Sequence, residues 1–253
     1  MYLNKFKIDL NFQNYRPTVY KTLKATFHVV VLLQNVFALF YAENKKLPEN
    51  FGKVGLCSDR SGYLTNWDML LQTLLFAVCT LNDIKGTNEI EPNVKPTIRK
   101  FKDKLLACLG FPLSMFVGLT FWAIYAVDRE LVFPRALDAF FPTWLNHVMH
   151  TNIMIFVLIE MATSYCRYPS RKFGLTVVTI FMACYLVWLH VIHAKTGLWV
   201  YPILDVLNLP LRIVFFASLL GLTIGLYIVG ENLNAVLWAK EIKKIKVDKK
   251  KKH

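Results

Sequence analysis

The residues of this chain whose types and spacing could do chemistry are histidines and a threonine. In Trp144-Leu145-Asn146-His147-Val148-Met149-His150-Thr151, two histidines stand at the mouth of an apolar run that continues from Ile153 to Ile159. Their spacing is close to one helical turn, so both imidazoles fall on neighbouring parts of one helix face. His190 and His193 repeat the H-x-x-H spacing at the end of another apolar run, and Thr65 opens a third, Thr65-Asn66-Trp67-Asp68. An imidazole beside a hydroxyl makes a nucleophile–base pair. The base removes the hydroxyl proton as the oxygen attacks an ester carbonyl, then returns it to the leaving alcohol. Four imidazoles together could instead hold zinc or iron, although no H-x-x-H-H or H-E-x-x-H occurs. Plainer roles compete. Thr65 could cap its helix, with Asp68 completing a capping-box-like pattern. A histidine within a membrane span can hydrogen-bond a neighbouring helix, and His190 could be an interfacial residue beside Trp188.

The elements that must position these groups are apolar helices. Of 253 residues, 55% are hydrophobic and 14% aromatic, too apolar for an ordinary soluble domain of this length. The apolar residues come in blocks of roughly 20, enough to cross ~30 Å of hydrocarbon. Six spans are expected, at about 25–42, 65–84, 105–127, 146–164, 174–193 and 211–230. The third contains Gly110-Phe111-Pro112, where a kink would leave a carbonyl in need of a partner. The segment 85–104, with Pro92 and Pro96, reads as a linker, and no internal repeat is evident. The fold class is therefore an all-α membrane protein, a bundle of about six transmembrane helices. A basic N-terminal tail (1–24) and a lysine-rich C-terminal tail (239–253) flank a polytopic domain at 25–238.

The net charge of +13 sits in tails and loops, which suits topology and anionic lipid rather than nucleic acid. Six spans put both tails on one side, and that side carries 22 of the 30 Lys and Arg residues. The positive-inside rule then makes both termini cytosolic. Thr65, Asp128, His147, His150, His190 and His193 all fall at the non-cytosolic ends of their spans. Thr65 and His150 thus share a membrane depth. The five cysteines are odd in number and lack a C-x-x-C, so neither a disulfide framework nor a zinc knuckle is indicated. The polar, basic first 24 residues resemble no cleaved signal peptide. Lys250 and Lys251 resemble a dilysine retrieval signal of the endoplasmic reticulum, a pattern that lysine-rich tails also produce by simple attraction to lipid.

Five stretches carry a family resemblance: Leu64 to Gln72, Phe121 to Glu130, Trp144 to Thr151, Tyr168-Pro169-Ser170-Arg171, and Thr196-Gly197-Leu198-Trp199-Val200-Tyr201-Pro202. In order and spacing, from about residue 25 to 238, they resemble the androgen-induced protein family. The resemblance implies a polytopic membrane hydrolase that cleaves fatty acid esters of hydroxy fatty acids with a threonine nucleophile and a histidine base. Carried over by motif, these are Thr65 and His150. His193 also matches a family histidine and His190 does not, which weakens the metal reading. Asn146, His193, Asp128 and Tyr201 lie in matching motifs as candidate supporting or oxyanion groups. Their plain alternatives are a helix cap for Asn146, a partner to Arg129 for Asp128 and an interfacial anchor for Tyr201. No cofactor is implied. The expected partner is a branched fatty acid ester entering from the bilayer, in the endoplasmic reticulum or plasma membrane, with the site on the non-cytosolic side. The competing classes are a metal-dependent lipid enzyme and a non-enzymatic membrane regulator or scaffold.

Overall fold

A computed structural model describes residues 17–45 and 60–250. The segments 1–16, 46–59 and 251–253 lie outside the described residues, and with them most of the N-terminal tail, Cys57 and Lys251. The described chain is helical: α1 (Pro17–Asn44), α2 (Leu64–Lys85), α3 (Thr97–Leu105), α4 (Phe111–Val127), α5 (Thr143–His147), α6 (Ile153–Thr163), α7 (Arg171–Thr196), α8 (Ile203–Val206) and α9 (Leu209–Lys250). Two π-helical turns join α3 to α4 (Leu106–Gly110) and α5 to α6 (Val148–Asn152), so each pair forms one continuous rod. Six helices among the described residues are long and apolar enough to cross a membrane.

Three boundaries differ from those expected. The first helix begins at Pro17, inside the segment read as a tail. The third rod begins at Thr97, so half of the supposed linker is helix. Its charged first turns are tolerated because they are paired inside the bundle. Arg99 Nε donates to Asp103 Oδ1 at 2.8 Å, and Lys102 Nζ donates to Glu160 Oε1 at 2.7 Å. The last helix does not stop where its apolar run ends near Gly230 but continues through the lysine-rich segment to Lys250. There Lys249 pairs with Glu91 at 2.6 Å.

The bundle has two hydrophobic cores, one at each end. Leu64, Met69, Phe116, Leu145, Met149 and Leu189 belong to one, and Leu75, Phe76, Phe111, Val157 and Met161 to the other. The second core encloses a polar network. His28, fully buried, places Nδ1 2.5 Å from Asp83 Oδ2 and Nε2 2.8 Å from Glu160 Oε2. With Lys102 on the other Glu160 oxygen, this network ties α1, α2, α3 and α6 together. Charges in hydrocarbon are costly unless paired, so the network sets the register in which these helices pack. Two residues before the proline, Gln72 Nε2 donates to the carbonyl of Gly110 at 3.0 Å and ties α2 to this rod.

Candidate functional site

The site is built at the other end of the bundle, on the first turn of α2. A helix start leaves backbone N–H groups without intrahelical partners. Here Tyr63 is the cap residue and offers no side-chain acceptor. The N–H of Leu64 instead donates to two tyrosine hydroxyls from elsewhere in the chain, Tyr185 of α7 and Tyr201 of the α7–α8 connection, each at 3.0 Å. The preceding loop is pinned by two indoles, because Trp67 and Trp188 both donate to the Ser61 carbonyl, at 2.8 and 2.9 Å. Thr65 therefore does not cap its helix. Asp68 completes no capping box either. It is fully buried and accepts from Gln72 Nε2 at 2.9 Å.

Relieved of capping, the Thr65 hydroxyl faces His150. Oγ1 lies 3.2 Å from His150 Nε2. On the far side of the ring, Nδ1 lies 3.0 Å from the carbonyl oxygen of Asn146. That carbonyl can only accept, so Nδ1 carries the proton and Nε2 presents its lone pair to the threonine. Phe121 lies flat on the imidazole, centroids 3.6 Å apart at 14°, and holds the ring plane. His150 is 5% exposed and Thr65 is half-buried. This is the arrangement of a hydroxyl nucleophile, a base and an orienting acceptor, with a backbone carbonyl in the third position.

His147 does not share this face. Its ring stacks on Trp122 at 5.4 Å, and its Nδ1 lies 3.2 Å from Thr151 Oγ1. The π turn over Val148–Asn152 is the cause, because its wider winding carries the two histidines further apart around the axis than an α-helix would.

Two cavities meet at Thr65. The larger, about 500 Å³, runs among α4, α7 and α9 and is lined almost wholly by apolar side chains such as Phe116, Met182, Leu189, Phe216 and Leu220. The smaller, about 90 Å³, lies under the connection after α4 and is lined by Arg60, Tyr63, Asn66, Phe133, Met149 and His150 among others. Thr65, Phe121, Val132 and Tyr201 border both. The hydroxyl thus stands where a molecule occupying both spaces would pass.

Residues 23–235 match the profile of the FAR-17a/AIG1-like protein family. The chain belongs to this family. Among FAR-17a/AIG1-like relatives, the human androgen-induced gene 1 protein is 43% identical over 183 residues, covering 70% of this chain and 76% of the relative. The mouse androgen-dependent TFPI-regulating protein is 36% identical over 222 residues, covering 86% and 94%. A membrane protein of Schizosaccharomyces pombe is 22% identical over 173 residues, covering 66% and 71%. No solved structure matches.

Of the other candidate residues in this FAR-17a/AIG1-like chain, only Tyr201 joins the threonine. Asn146 contributes its carbonyl to His150, while its side chain lines neither cavity. His193 stacks flat on Trp199, centroids 3.9 Å apart at 9°, rather than on the Thr65–His150 pair. Asp128 is exposed and caps the turn Arg129–Leu131 by accepting from Glu130 N at 3.0 Å; the partner of Arg129 is Asp138, at 2.5 Å. The four-histidine metal reading is not supported by the geometry. Among the described residues, no three of these histidines bring ring nitrogens within 4.8 Å of one another. Two functional neighbours were missed in the sequence. Tyr185 had a signal, since a buried phenol needs a partner. The π turn had none.

One packing constraint bears directly on the base. Gly118 of α4 crosses the π turn so closely that a β-carbon would meet Met154 Sδ and lie 2.5 Å from the His150 carbonyl oxygen. Backbone cannot rotate away as a side-chain tip can. Gly118→Ala is expected to cost about 1–3 kcal/mol by overpacking and to displace His150 from Thr65. Thermal unfolding of the variant and the NMR environment of the His150 ring check both effects, and an unchanged imidazole signal would show that the crossing does not position it.

Proposed function

We propose that this protein is an integral membrane hydrolase that cleaves fatty acid esters of hydroxy fatty acids. Thr65 is the nucleophile and His150 the base. The observation that carries this reading is the 3.2 Å contact between the Thr65 hydroxyl and a His150 nitrogen, at the junction of two cavities of which the larger is apolar. His150 Nε2 takes the Thr65 proton as Oγ1 bonds to the ester carbonyl carbon. The tetrahedral intermediate collapses, the C–O bond to the hydroxy fatty acid breaks, and its alkoxide takes the proton from His150. Water then attacks the acyl-threonine with His150 again accepting a proton. The fatty acid leaves, and Thr65 recovers its hydrogen.

A polar ester with two apolar arms suits a site reached from the bilayer, the larger cavity holding one arm. The charge bias of the loops supports putting this end of the bundle on the non-cytosolic side, in the endoplasmic reticulum or plasma membrane on this reading. The deciding experiment compares purified wild type, Thr65→Ala and His150→Ala on a synthetic branched fatty acid ester. A well-folded variant with normal turnover would rule the pair out.

The cavity makes its own prediction. Ala183 lines the larger space. Ala183→Trp should lower kcat/KM for a long-chain ester at least ~tenfold more than for an acetyl ester, because the indole occupies the room of the distal chain. Parallel kinetics on the two esters read this ratio, and an equal loss on both would place the chain elsewhere. The name of the mouse relative, androgen-dependent TFPI-regulating protein, favours a second reading as a non-enzymatic regulator. In that case Thr65→Ala would leave the cellular function intact.

A further inference from the structure

An ester hydrolase must hold the negative oxygen of its tetrahedral intermediate. We propose that the phenol of Tyr201 is the oxyanion donor, a catalytic role that rests on the Thr65–His150 reading. The assignment comes from counting protons around the start of α2. Two phenols and one backbone N–H meet there. Leu64 N–H is shared between the Tyr185 and Tyr201 oxygens, 3.0 Å from each. Tyr185 has one proton and a backbone acceptor for it, the Gly62 carbonyl at 2.9 Å. Tyr201 reaches no carbonyl or carboxylate among the described residues. Its other neighbour is the Tyr185 oxygen at 3.1 Å. The Tyr201 proton is therefore the one in the cluster with no backbone acceptor, and a phenol can swing its hydrogen about the C–O bond without moving the ring.

Position supports the same residue. Tyr201 borders both cavities alongside Thr65, whereas Tyr185 borders only the larger. Its oxygen is bonded to the residue immediately before the nucleophile. Accepting the Leu64 N–H also polarises the phenol and strengthens it as a donor. Burial pushes the Tyr201 phenol above its ordinary pKa, so the proton is present at neutral pH. The chain is led to this place by Gly197, whose φ of 71° ends α7 in the left-handed conformation and turns the backbone toward Trp199-Val200-Tyr201. During turnover the Tyr201 hydrogen swings about the C–O bond to donate to the developing oxyanion and swings back when the carbonyl re-forms. It is never transferred.

The test is Tyr201→Phe in the full-length protein, on an aliphatic ester and a p-nitrophenyl ester of the same acid. The expected result is a fall in kcat of about 10²–10³-fold on both esters, with KM within about threefold, since one oxyanion donor is worth that much. Binding of a trifluoromethyl ketone, which forms a tetrahedral adduct on the nucleophile, should weaken by a similar factor. Unchanged kcat overturns the proposal. A loss confined to the aliphatic ester also overturns it, because the phenol would then be protonating the leaving alcohol. If Tyr201→Phe does not fold, a trifluorinated tyrosine at position 201 keeps the shape. Its phenol is far more acidic than that of tyrosine and cannot donate once ionised, so turnover should fall as pH rises through that ionisation. A profile identical to wild type overturns the proposal. Turnover surviving in Thr65→Ala would defeat the underlying reading instead, and the two failures are therefore distinguishable.

Discussion

Thr65→Ala and His150→Ala should each lower turnover of a branched fatty acid ester by at least ~10³-fold, and the double variant should be little worse than either alone. Members of a nucleophile–base pair act as a unit, so their losses do not add. Alanine at position 65 removes the attacking oxygen. Alanine at position 150 leaves a hydroxyl that no neighbouring base deprotonates, and it also removes the surface on which Phe121 stacks. Thr65→Ser is the informative control. It keeps the oxygen but loses the β-branch that restricts χ1, so activity should survive at roughly a tenth of wild type through poorer orientation. Stability separates chemistry from folding. Tyr185 and Tyr201 satisfy the start of α2, and the Thr65 side chain does not, so Thr65→Ala should unfold within about 1 kcal/mol of wild type. Product release followed by mass spectrometry and unfolding followed by circular dichroism measure the two quantities. Full turnover in either folded single variant would end the threonine–histidine account.

The largest effect on stability is expected at the opposite end. Glu160→Ala removes the carboxylate that both Lys102 Nζ and His28 Nε2 contact, and leaves those groups buried without it. Breaking a buried pair from one side costs about 3–5 kcal/mol. For a chain of this size that is a fall of about 10 °C in the unfolding midpoint. The paired change Glu160→Met with Lys102→Met should recover part of the loss, since it removes the buried lysine together with its carboxylate and leaves only His28 Nε2 without its partner. Glu160 follows His150 on the same helical rod by a rise of roughly 15 Å. Turnover of the surviving folded fraction at low temperature should therefore stay within about twofold of wild type. Differential scanning in detergent and kinetics at low temperature test the two halves of this statement. A Glu160→Ala protein as stable as wild type would mean that the network does not hold the helices in register.

The two predictions concern features of different legibility in the sequence. Thr65 and His150 could be paired in advance because both depend on one coordinate, depth along the membrane normal, which apolar run lengths and alternating direction supply. Motif resemblance then chose His150 over His147. The reason for that choice is tertiary. The π turn at Val148–Asn152 winds the two imidazoles onto different faces, and nothing in residue type announces it. Asn146, His193, Asp128 and Tyr201 were equally eligible by motif. They are separated by rotation about the helix axis and by the path of the loops, which put His193 on Trp199, Asp128 in an exposed turn and Tyr201 on the start of α2.

By itself the sequence determined an all-α bundle of six apolar helices, the family to which it belongs, and the end of the bundle where the candidate pair lies. Each of these rests on averages over many residues or on motifs contiguous in the chain. The tertiary structure alone decided where the charged helices begin and which side chain caps which helix. A hydropathy average begins the third span only at about residue 105 because Arg99, Lys102 and Asp103 count against an earlier start. The helix runs back to Thr97 because Glu160, 58 residues further on, pairs with Lys102. Thr65 has the residue type and position of a cap, and it faces His150 because two tyrosines from beyond residue 180 took over that duty. A lone polar group in an apolar run costs or stabilises according to its partner, and the partner is a property of the packed bundle.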